Sequence, residues 1–566
     1  MHYPRRARTI AIVGDARLDQ LAERFAEGVL ERHPTVATFL GDRRYDDRLP
    51  DAGPTGRERE RAALEELRRD LSSTPPSTLL GEDAISHHML ELAADFGLSS
   101  LRHELHHLAV DQMQGPQVSL AMLLNYHTLD TEKNARDLLS RYRAIPDYLR
   151  EHVDNLREGM AQRRTSPRIA CERVLGQLQA LLDTPPADSP YGRHARKWVG
   201  ALSDDLVGAV RDAVYPAFAA YRGFLESEYR PRGQPGLSSI PRGGETYAEL
   251  VRQVTQSEMT PEQVHRIGVD ELRAIHDEMR ALGVRDVRER ADALKSDPRN
   301  QFATREELLR ASQRLYDRAF AGLPRLFGRL PVTACRVIPI ETYREKDSVA
   351  AFYNPPAADG SRPGTYYVNT YRPETRPRYN LTALTVHESV PGHHLQIAIQ
   401  SEAAGIPRFR RHRLGTQGAL TAFTEGWGLY SERLGDEMGL YDTEEERFGM
   451  LSYQAWRAAR LVVDTGIHAL GWPRDRAIRF MLDEVGLPEG EVVNEVDRYI
   501  SWPSQALAYK IGQRHIERLR RSARDARGAG FDVRAFHDEL LRHGAIPLST
   551  ASLVIERWLN GAGPGR

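Results

Sequence analysis

The chain has 566 residues, enough for two to four domains of about 150 residues each. Its 78 Lys and Arg residues nearly balance its 79 Asp and Glu residues, so the net charge of −1 argues against a basic nucleic-acid-binding surface. Two cysteines cannot form a disulfide framework or a thiolate zinc site, whereas 20 histidines are present. Any metal ion would therefore be held by imidazole and carboxylate groups.

The first residues, MHYPRRARTIAIVGDAR, contain only a short apolar run at 10–13. A secretory signal needs a longer apolar region followed by a cleavage site with small residues. The sequence has no run of 18 uncharged apolar residues, so no membrane span and no membrane partner are predicted. Because cysteine is also scarce, we expect a cytoplasmic protein.

Helical periodicity dominates the chain from its start. Leu18, Leu21, Phe25 and Val29 recur at helical spacing, and Pro34 ends this first predicted helix. The same spacing returns in six later stretches, at 83–108, 133–160, 195–228, 260–282, 303–328 and 444–486. The predicted fold class is therefore mostly α.

Strand signals are confined to the second half. Two stretches rich in β-branched and aromatic residues, 332–340 and 365–371, predict a small sheet, and the Pro- and Gly-rich 354–365 predicts a loop between them. The segment PRGQPGLSSIPRGG at 231–244 predicts a linker. It would separate an N-terminal helical region, 1–230, from a catalytic helical region with the small sheet and the metal site, 245–566.

Two stretches contain His-Glu followed by further histidine. The first, HELHH, formally satisfies H-E-x-x-H, and on a helix His103 and His107 would be about 6 Å apart, close enough to share one zinc ion. Glu104 would then lie beside the ion. The alternative is a solvated face of a histidine-rich amphipathic helix, because no distinctive third ligand follows.

The second stretch, NLTALTVHESVPGHHLQIAIQ, spans 380–400. In an unbroken helix His393 would lie about 240° around from His387, and His394 would lie about 10.5 Å along the axis. Neither could then share an ion with His387, so the pattern binds metal only if the helix is interrupted. Pro391 and Gly392 favour such an interruption, which would let His393 take the place of the fourth residue after His387.

Glu425 supplies a candidate third ligand in TAFTEGWGLYSE, where its neighbours are apolar or aromatic. A buried carboxylate is costly unless it is paired or bound to a metal. Two histidines and a glutamate with one open position form a catalytic zinc set, whereas structural zinc sites favour four protein ligands and cysteine. The predicted cofactor is therefore Zn²⁺ held by His387, Glu425 and His393, with His394 as the alternative to His393.

Several motifs together resemble the bacterial domain-of-unknown-function family 885 over about residues 17–561. Two of them, YNLTALTVHE and HESVPGHHLQ, overlap at His387 and Glu388. The others are EGWGLYSE, DTGIHALGW and QALAYKIG, with LERHPTVATFLGDRRYDDRLPD near the start of the chain and FDVRAFHDELLRHGAIPLS near its end. This family is regarded as metallopeptidase-like and distantly similar to Taq carboxypeptidase and thimet oligopeptidase. The resemblance implies a helical shell around a deep channel, with zinc on the channel wall. Those relatives carry H-E-x-x-H, from which this chain departs by two extra residues.

The ligand set predicts a mechanism. Zinc polarises a carbonyl and acidifies water, and Glu388, next to His387, would transfer the proton from water to the leaving amine. Tyr509 in QALAYKIG resembles the phenol that related helical peptidases bring over the metal. His468 could be a donor oriented by Asp464, or the two could form an ordinary i,i+4 pair.

Four residues are predicted to contact substrate. A strand before the zinc helix, treated as an edge strand, could pair with an extended peptide through the backbone of Tyr367, and Asn369 could add a side-chain bond. Arg460 and Lys510 could bind a substrate carboxylate, as could Arg457. The alternatives are ordinary sheet packing and structural charges.

The favoured function is a zinc-dependent peptidase or amidase that acts on a peptide or small amide. A metal-dependent esterase or lyase, and a helical binding protein with a vestigial metal site, remain alternatives. Glu388 distinguishes among them, because a scaffold that only holds metal has no use for the base. The sequence leaves the oligomeric state open.

Overall fold

The computed structural model describes residues 15–561 except 77, 78, 80, 343, 344, 346–348, 358, 359 and 361. The apolar run at 10–13 lies outside these residues. The mostly α fold class is confirmed. The helices of the first half are α1 (Ala16–Arg32), α2 (Pro34–Leu40), α3 (Pro54–Ser72), α4 (Gly81–Arg102), α5 (Pro116–Leu123), α6 (Glu132–Ala161), α7 (Arg168–Asp183), α8 (Pro190–Ala195), α9 (Ser203–Ala209), α10 (Tyr215–Ser227), α11 (Gly243–Thr255) and α12 (Pro261–Ala281).

The second half is also helical and contains a small sheet. Its helices are α13 (Val287–Ser296), α14 (Arg305–Gly322), α15 (Arg378–Glu388), α16 (His393–Glu402), α17 (Arg408–Arg411), α18 (Gln417–Glu437), α19 (Glu444–His468), α20 (Arg474–Val485), α21 (Glu489–Ser501), α22 (Ala508–Arg527), α23 (Val533–Leu541) and α24 (Leu548–Leu559). Polar N-cap residues define the start of several helices. At the start of α19, for example, the Thr443 hydroxyl accepts a hydrogen bond from the backbone amide of Glu446.

The sheet has three strands, β1 (Cys335–Pro339), β2 (Ala351–Asn354) and β3 (Gly364–Val368), in the order β1-β3-β2. β1 is parallel to β3, and β2 is antiparallel to it. β1 falls within the first predicted strand and β3 overlaps the second, starting one residue earlier, whereas β2 was not predicted. The buried Tyr366 of β3 makes a hydroxyl contact of 3.2 Å with Thr385 of α15. The sheet therefore lies against the helix that carries His387.

The N-terminal helices share a hydrophobic core with the second half of the chain. Leu18 of α1 and Leu90 of α4 belong to the same buried cluster as Val386 and Trp427. Residues between 110 and 229 form a cluster of their own. Packing across the chain therefore joins α1–α4 to the helices around His387.

The segment 231–244, predicted as a linker, packs against α19. The Leu237 amide donates a hydrogen bond of 3.2 Å to Nδ1 of His468, and the Leu237 side chain is buried. A Cβ at Gly236 would lie 2.0 Å from the carbonyl oxygen of Ile467. The segment is thus a close-packed connection between α10 and α11.

Within the described ranges, no helix combines the length and apolar character that crossing a bilayer requires. The cytoplasmic location and the channel stay predictions.

Candidate metal centre

A break between α15 and α16 brings two histidines together. α15 ends one residue after His387, and α16 starts at His393. The Gly392 amide donates to the Val386 carbonyl at 2.9 Å, a connection that no regular α-helix makes. A Cβ at Gly392 would lie 2.0 Å from the His387 carbonyl oxygen, so the glycine permits this close approach. As a result the His387 and His393 rings meet with centroids 4.8 Å apart.

Glu425 of α18 completes the group. Its Oε2 lies 3.7 Å from Nε2 of His387 and 3.5 Å from Nε2 of His393. An ion with four ligands at about 2.0–2.1 Å would separate such atoms by about 3.4 Å, so the arrangement fits zinc. A Cβ at Gly428 would come within 2.8 Å of the His387 ring, and the glycine leaves that space free.

The protonation states of Glu425 and His387 depend on each other. Burial alone would raise the pKa of Glu425, but hydrogen bonds from His387 and His393 hold that pKa well below its usual range. Burial opposes protonation of His387, yet Glu425 and then Glu432 raise its pKa to about 10. The imidazole therefore lies between two carboxylates, an environment that favours a positive charge.

Glu432, which was not among the predicted site residues, orients His387. Its Oε1 lies 2.9 Å from Nδ1 of His387, and the side chain is completely buried. A carboxylate–imidazole pair of this kind orients the ring and directs Nε2 toward a position where a metal could bind. The signal was present in EGWGLYSE, because Glu425 and Glu432 are seven residues apart and share one face of α18.

A buried polar network contacts Glu432 and holds it against His387. Gln454 donates to Oε2 of Glu432 at 3.0 Å, and Nζ of Lys510 donates to Oε1 of Gln454 at 2.9 Å. Arg457 Nη2 lies 3.6 Å from Oε1 of Glu432. Burial lowers the pKa of Lys510 to about 7. Lys510, predicted to bind substrate, instead bonds to the residue that supports Glu432, behind the candidate metal ligands.

Glu388 follows His387 directly and is half-buried. Burial raises the pKa of Glu388, and the nearby His393 and His387 partly offset that effect. A carboxyl whose pKa is moved toward neutrality suits a group that accepts and returns a proton. Glu388 therefore lies beside the candidate ligands with the properties of a general base.

His394 does not join the group. Its Nδ1 lies 3.0 Å from the Tyr353 hydroxyl and its Nε2 lies 3.1 Å from the Thr333 carbonyl oxygen. The side chain is completely buried, and burial lowers its pKa to about 4. Its contacts hold α16 to the sheet.

Tyr509 and Arg460 lie in one cluster of arginines and aromatic rings. The Arg460 guanidinium stacks on the Tyr509 ring at 4.2 Å and donates to the hydroxyl of Tyr499 at 2.9 Å. Arg498 donates to the Tyr509 hydroxyl at 3.2 Å, which leaves the phenol proton free to be donated. Arg460 Nη2 also pairs with Glu495 at 2.8 Å.

The structure does not pair His468 with Asp464. Nε2 of His468 lies 2.9 Å from the Tyr499 carbonyl oxygen, and Nδ1 accepts from the Leu237 amide. Asp464 instead accepts from the hydroxyl of Tyr247 and from a backbone amide. His468 is fully buried, with both ring nitrogens bonded to backbone.

The prediction of an edge strand before the helix that carries His387 is wrong. β3 is the central strand, and β1 and β2 occupy both of its hydrogen-bonding edges. Tyr367 stacks on Phe352 of β2 with centroids 4.7 Å apart. Nδ2 of the Asn369 side chain donates to the backbone carbonyls of Glu345 and Val349, at 2.7 and 3.0 Å. Asn369 therefore holds the segment between β1 and β2, and β3 offers no edge to a peptide.

HELHH does not form a zinc helix. α4 ends before His103, and Glu104 has a positive φ of 50°, so His103 and His107 are not stacked on one helix. Nδ1 of His103 lies 3.1 Å from the Thr246 hydroxyl. A 3-10 turn, Leu105–Leu108, follows.

No curated protein matches this chain. Among solved structures, one described as the "putative lipoprotein from Colwellia psychrerythraea" has a TM-score of 0.87 and 26% sequence identity, with 96% of this chain and 99% of that chain covered. A structure described as a "putative lipoprotein of unknown function from Shewanella oneidensis" has a TM-score of 0.74 and 18% identity, covers 96% of this chain and 100% of that one, and shares the fold.

The family comparison gives a match over residues 34–553 to the family described as "Bacterial protein of unknown function (DUF885)". Those residues include the break at His387, Glu425 and Glu432. The chain belongs to the DUF885 family.

Proposed function

We propose that this chain is a metal-dependent hydrolase that cleaves amide bonds in peptides or small amides. The observation that carries the proposal is the convergence of His387, His393 and Glu425, with His387 backed by Glu432. Two imidazoles and one carboxylate with an open fourth position are typical of catalytic zinc, whereas structural zinc sites are closed. These three residues would hold Zn²⁺.

The chemistry that such an ion supplies when bound is Lewis acidity toward a carbonyl and toward water. Glu388 is the residue of this chain that moves the proton. As the carboxylate next to His387, it would accept a proton from the attacking water and return it to the leaving amine. A positioned base of this kind contributes about 10²–10⁴-fold to the rate.

Tyr509 is the proposed donor to the oxyanion. Because Arg498 donates to the phenol oxygen, the O–H proton of Tyr509 stays available for a substrate oxygen. The loss of one such donor typically costs about 10²–10³-fold in rate. The binding of a substrate carboxylate by Arg460 belongs to the same proposal.

The test compares the wild-type protein with Glu388→Gln after both are loaded with zinc. Cleavage of a peptide library is followed by mass spectrometry, and zinc content is measured on the same samples. We expect Glu388→Gln to keep its zinc and lose at least about 10²-fold in cleavage rate. Glu444→Gln, at an exposed glutamate on α19, is the matched control and should behave as wild type.

Two results would contradict the proposal. One is equal cleavage by the wild type and Glu388→Gln of every substrate that the wild type cleaves. The other is a fully zinc-loaded wild type that cleaves none of the peptides or amides offered. An esterase or lyase would give the second result and would be found with ester or other small-molecule substrates.

A further inference from the structure

A second group of metal-ligating side chains lies in the N-terminal half. His106 and His107 belong to the 3-10 turn Leu105–Leu108, and Glu158 belongs to α6. Oε2 of Glu158 lies 3.9 Å from Nε2 of His106 and 3.6 Å from Nε2 of His107. One ligand atom from each residue falls within 4.8 Å of the others, as at the centre around Glu425. Both nitrogens thus approach one carboxylate oxygen at nearly the separation, about 3.4 Å, that a tetrahedral ion requires.

Among the described residues, three ring nitrogens of this group have no hydrogen-bond partner. His107 is completely buried, and neither of its ring nitrogens is hydrogen-bonded within the part of the chain that the structure describes. The same holds for the buried Nε2 of His106. Buried polar atoms are normally paired, because the loss of water without a replacement is unfavourable. Two of these nitrogens, Nε2 of His106 and Nε2 of His107, face one carboxylate oxygen, so a metal ion between them would give each a partner.

The backbone is shaped to bring the turn onto α6. A Cβ at Gly159 would lie 2.9 Å from Cβ of His107 and 2.7 Å from the Arg164 carbonyl oxygen. The glycine that follows Glu158 therefore allows the close approach that puts the imidazoles beside the carboxylate. A larger residue at 159 would push His107 away from α6.

We propose that His106, His107 and Glu158 bind a second divalent transition-metal ion of the zinc class, separate from the ion at His387. Imidazole nitrogen and carboxylate oxygen are donors suited to zinc. The ion would link the 3-10 turn to α6. The side chains of His106 and Glu158 are 21% and 45% exposed, which gives the ion a path from solvent.

Arg57 competes with the ion for the carboxylate. Its Nη2 lies 3.3 Å from Oε2 of Glu158, and it also bonds to the side chain of Asn155. Binding requires Glu158 to exchange part of its contact with Arg57 for the ion. This exchange predicts weaker zinc binding here than at the fully buried His387.

The experiment counts zinc ions per chain. The protein is stripped of metal with a chelator, reloaded with Zn²⁺ and freed of excess metal. Its zinc content is then measured by inductively coupled plasma mass spectrometry. We expect two ions in the wild type, one in His106→Gln, one in Glu158→Gln, one in His387→Ala and none in the His106→Gln/His387→Ala double variant. His88→Gln, at a histidine of α4 outside the group, should keep two.

Folding is checked separately, and the partly exposed positions 106 and 158 are chosen so that the variants fold. In the His387→Ala background, added Zn²⁺ should raise the melting temperature, and His106→Gln should abolish that rise. The proposal is overturned if His106→Gln and Glu158→Gln bind as much zinc as the wild type, or if His387→Ala alone removes all zinc. Failure of the hydrolase centre looks different, because His387→Ala would then keep the wild-type zinc content.

Discussion

Nδ1 of His387 lies 2.9 Å from Oε1 of Glu432, while Nε2 of the same ring faces Glu425 at 3.7 Å. Both carboxylates come from one face of α18, about two turns apart. α18 therefore contacts both nitrogens of one imidazole, and this contact defines the direction in which His387 can bind a metal.

Glu432→Gln tests that arrangement. An amide can replace one hydrogen bond but not the negative charge, and loss of such a supporting carboxylate typically costs about 10–100-fold in metal affinity. Competition with a chelating dye measures the zinc affinity. Glu437→Gln, on the same helix but paired with Arg520, is the control. Equal affinities of wild type and Glu432→Gln would contradict the supporting role.

His393→Ala and His394→Ala separate the two adjacent histidines. We expect His393→Ala to lose the zinc of this centre, because its Nε2 faces Glu425. His394→Ala should keep the zinc but lose about 1–3 kcal/mol of unfolding free energy, because Tyr353 and the Thr333 carbonyl lose a buried partner. Zinc content and urea unfolding distinguish the two. Loss of zinc in His394→Ala with retention in His393→Ala would refute the assignment.

Gly392→Ala should disturb the break itself. The added Cβ would lie 2.0 Å from the His387 carbonyl oxygen and 2.3 Å from that of Val386, so the backbone must move. We expect a loss of about 1–3 kcal/mol in stability together with weaker zinc binding. Gly405→Ala is the matched control, since nothing lies within 4 Å of a Cβ there. Unchanged zinc affinity in Gly392→Ala would show that the break is not needed for the site.

His468 should make stability depend on pH. Burial lowers its pKa from 6.5 to about 3, so between these values the unfolded chain binds a proton that the folded chain does not. The contribution of neutral His468 to the free energy of unfolding is complete well above pH 6.5 and is lost as the pH falls toward 3. At pH 5 the loss is about 2 kcal/mol.

His468→Gln should remove this part of the pH dependence. Urea unfolding of the wild type and the variant at pH 8 and pH 5 measures the difference. An identical change in unfolding free energy for both proteins would show that His468 does not carry the effect.

Local sequence patterns predicted many of the helices and the break between α15 and α16. Periodicity at Leu18, Leu21 and Phe25 predicted helix, and all three are buried in α1. Pro391 and Gly392 predicted an interruption, and α15 and α16 are separate. Periodicity is a property of neighbouring residues, so it can be read without the fold.

Contacts between distant residues were less predictable. β2 lies between the two predicted strands, where no strand was predicted, and its pairing makes β3 central, so that Tyr367 has no open sheet edge beside it. Asp464 and His468 are four residues apart on α19, yet each bonds to groups from other segments. Strand order and the partners of buried side chains depend on packing between distant segments. That packing cannot be inferred from the residues next to each position.

The sequence by itself determined the fold class and the break at Pro391-Gly392, because helical spacing and backbone restrictions act locally. Only the tertiary structure decided that Glu432 stands behind His387, that His394 is directed toward Tyr353, and that His106 rather than His103 accompanies His107 beside Glu158. Those relationships depend on how α15 packs against α18 and how a 3-10 turn packs against α6. A difference of one residue in either register would direct a side chain to another face.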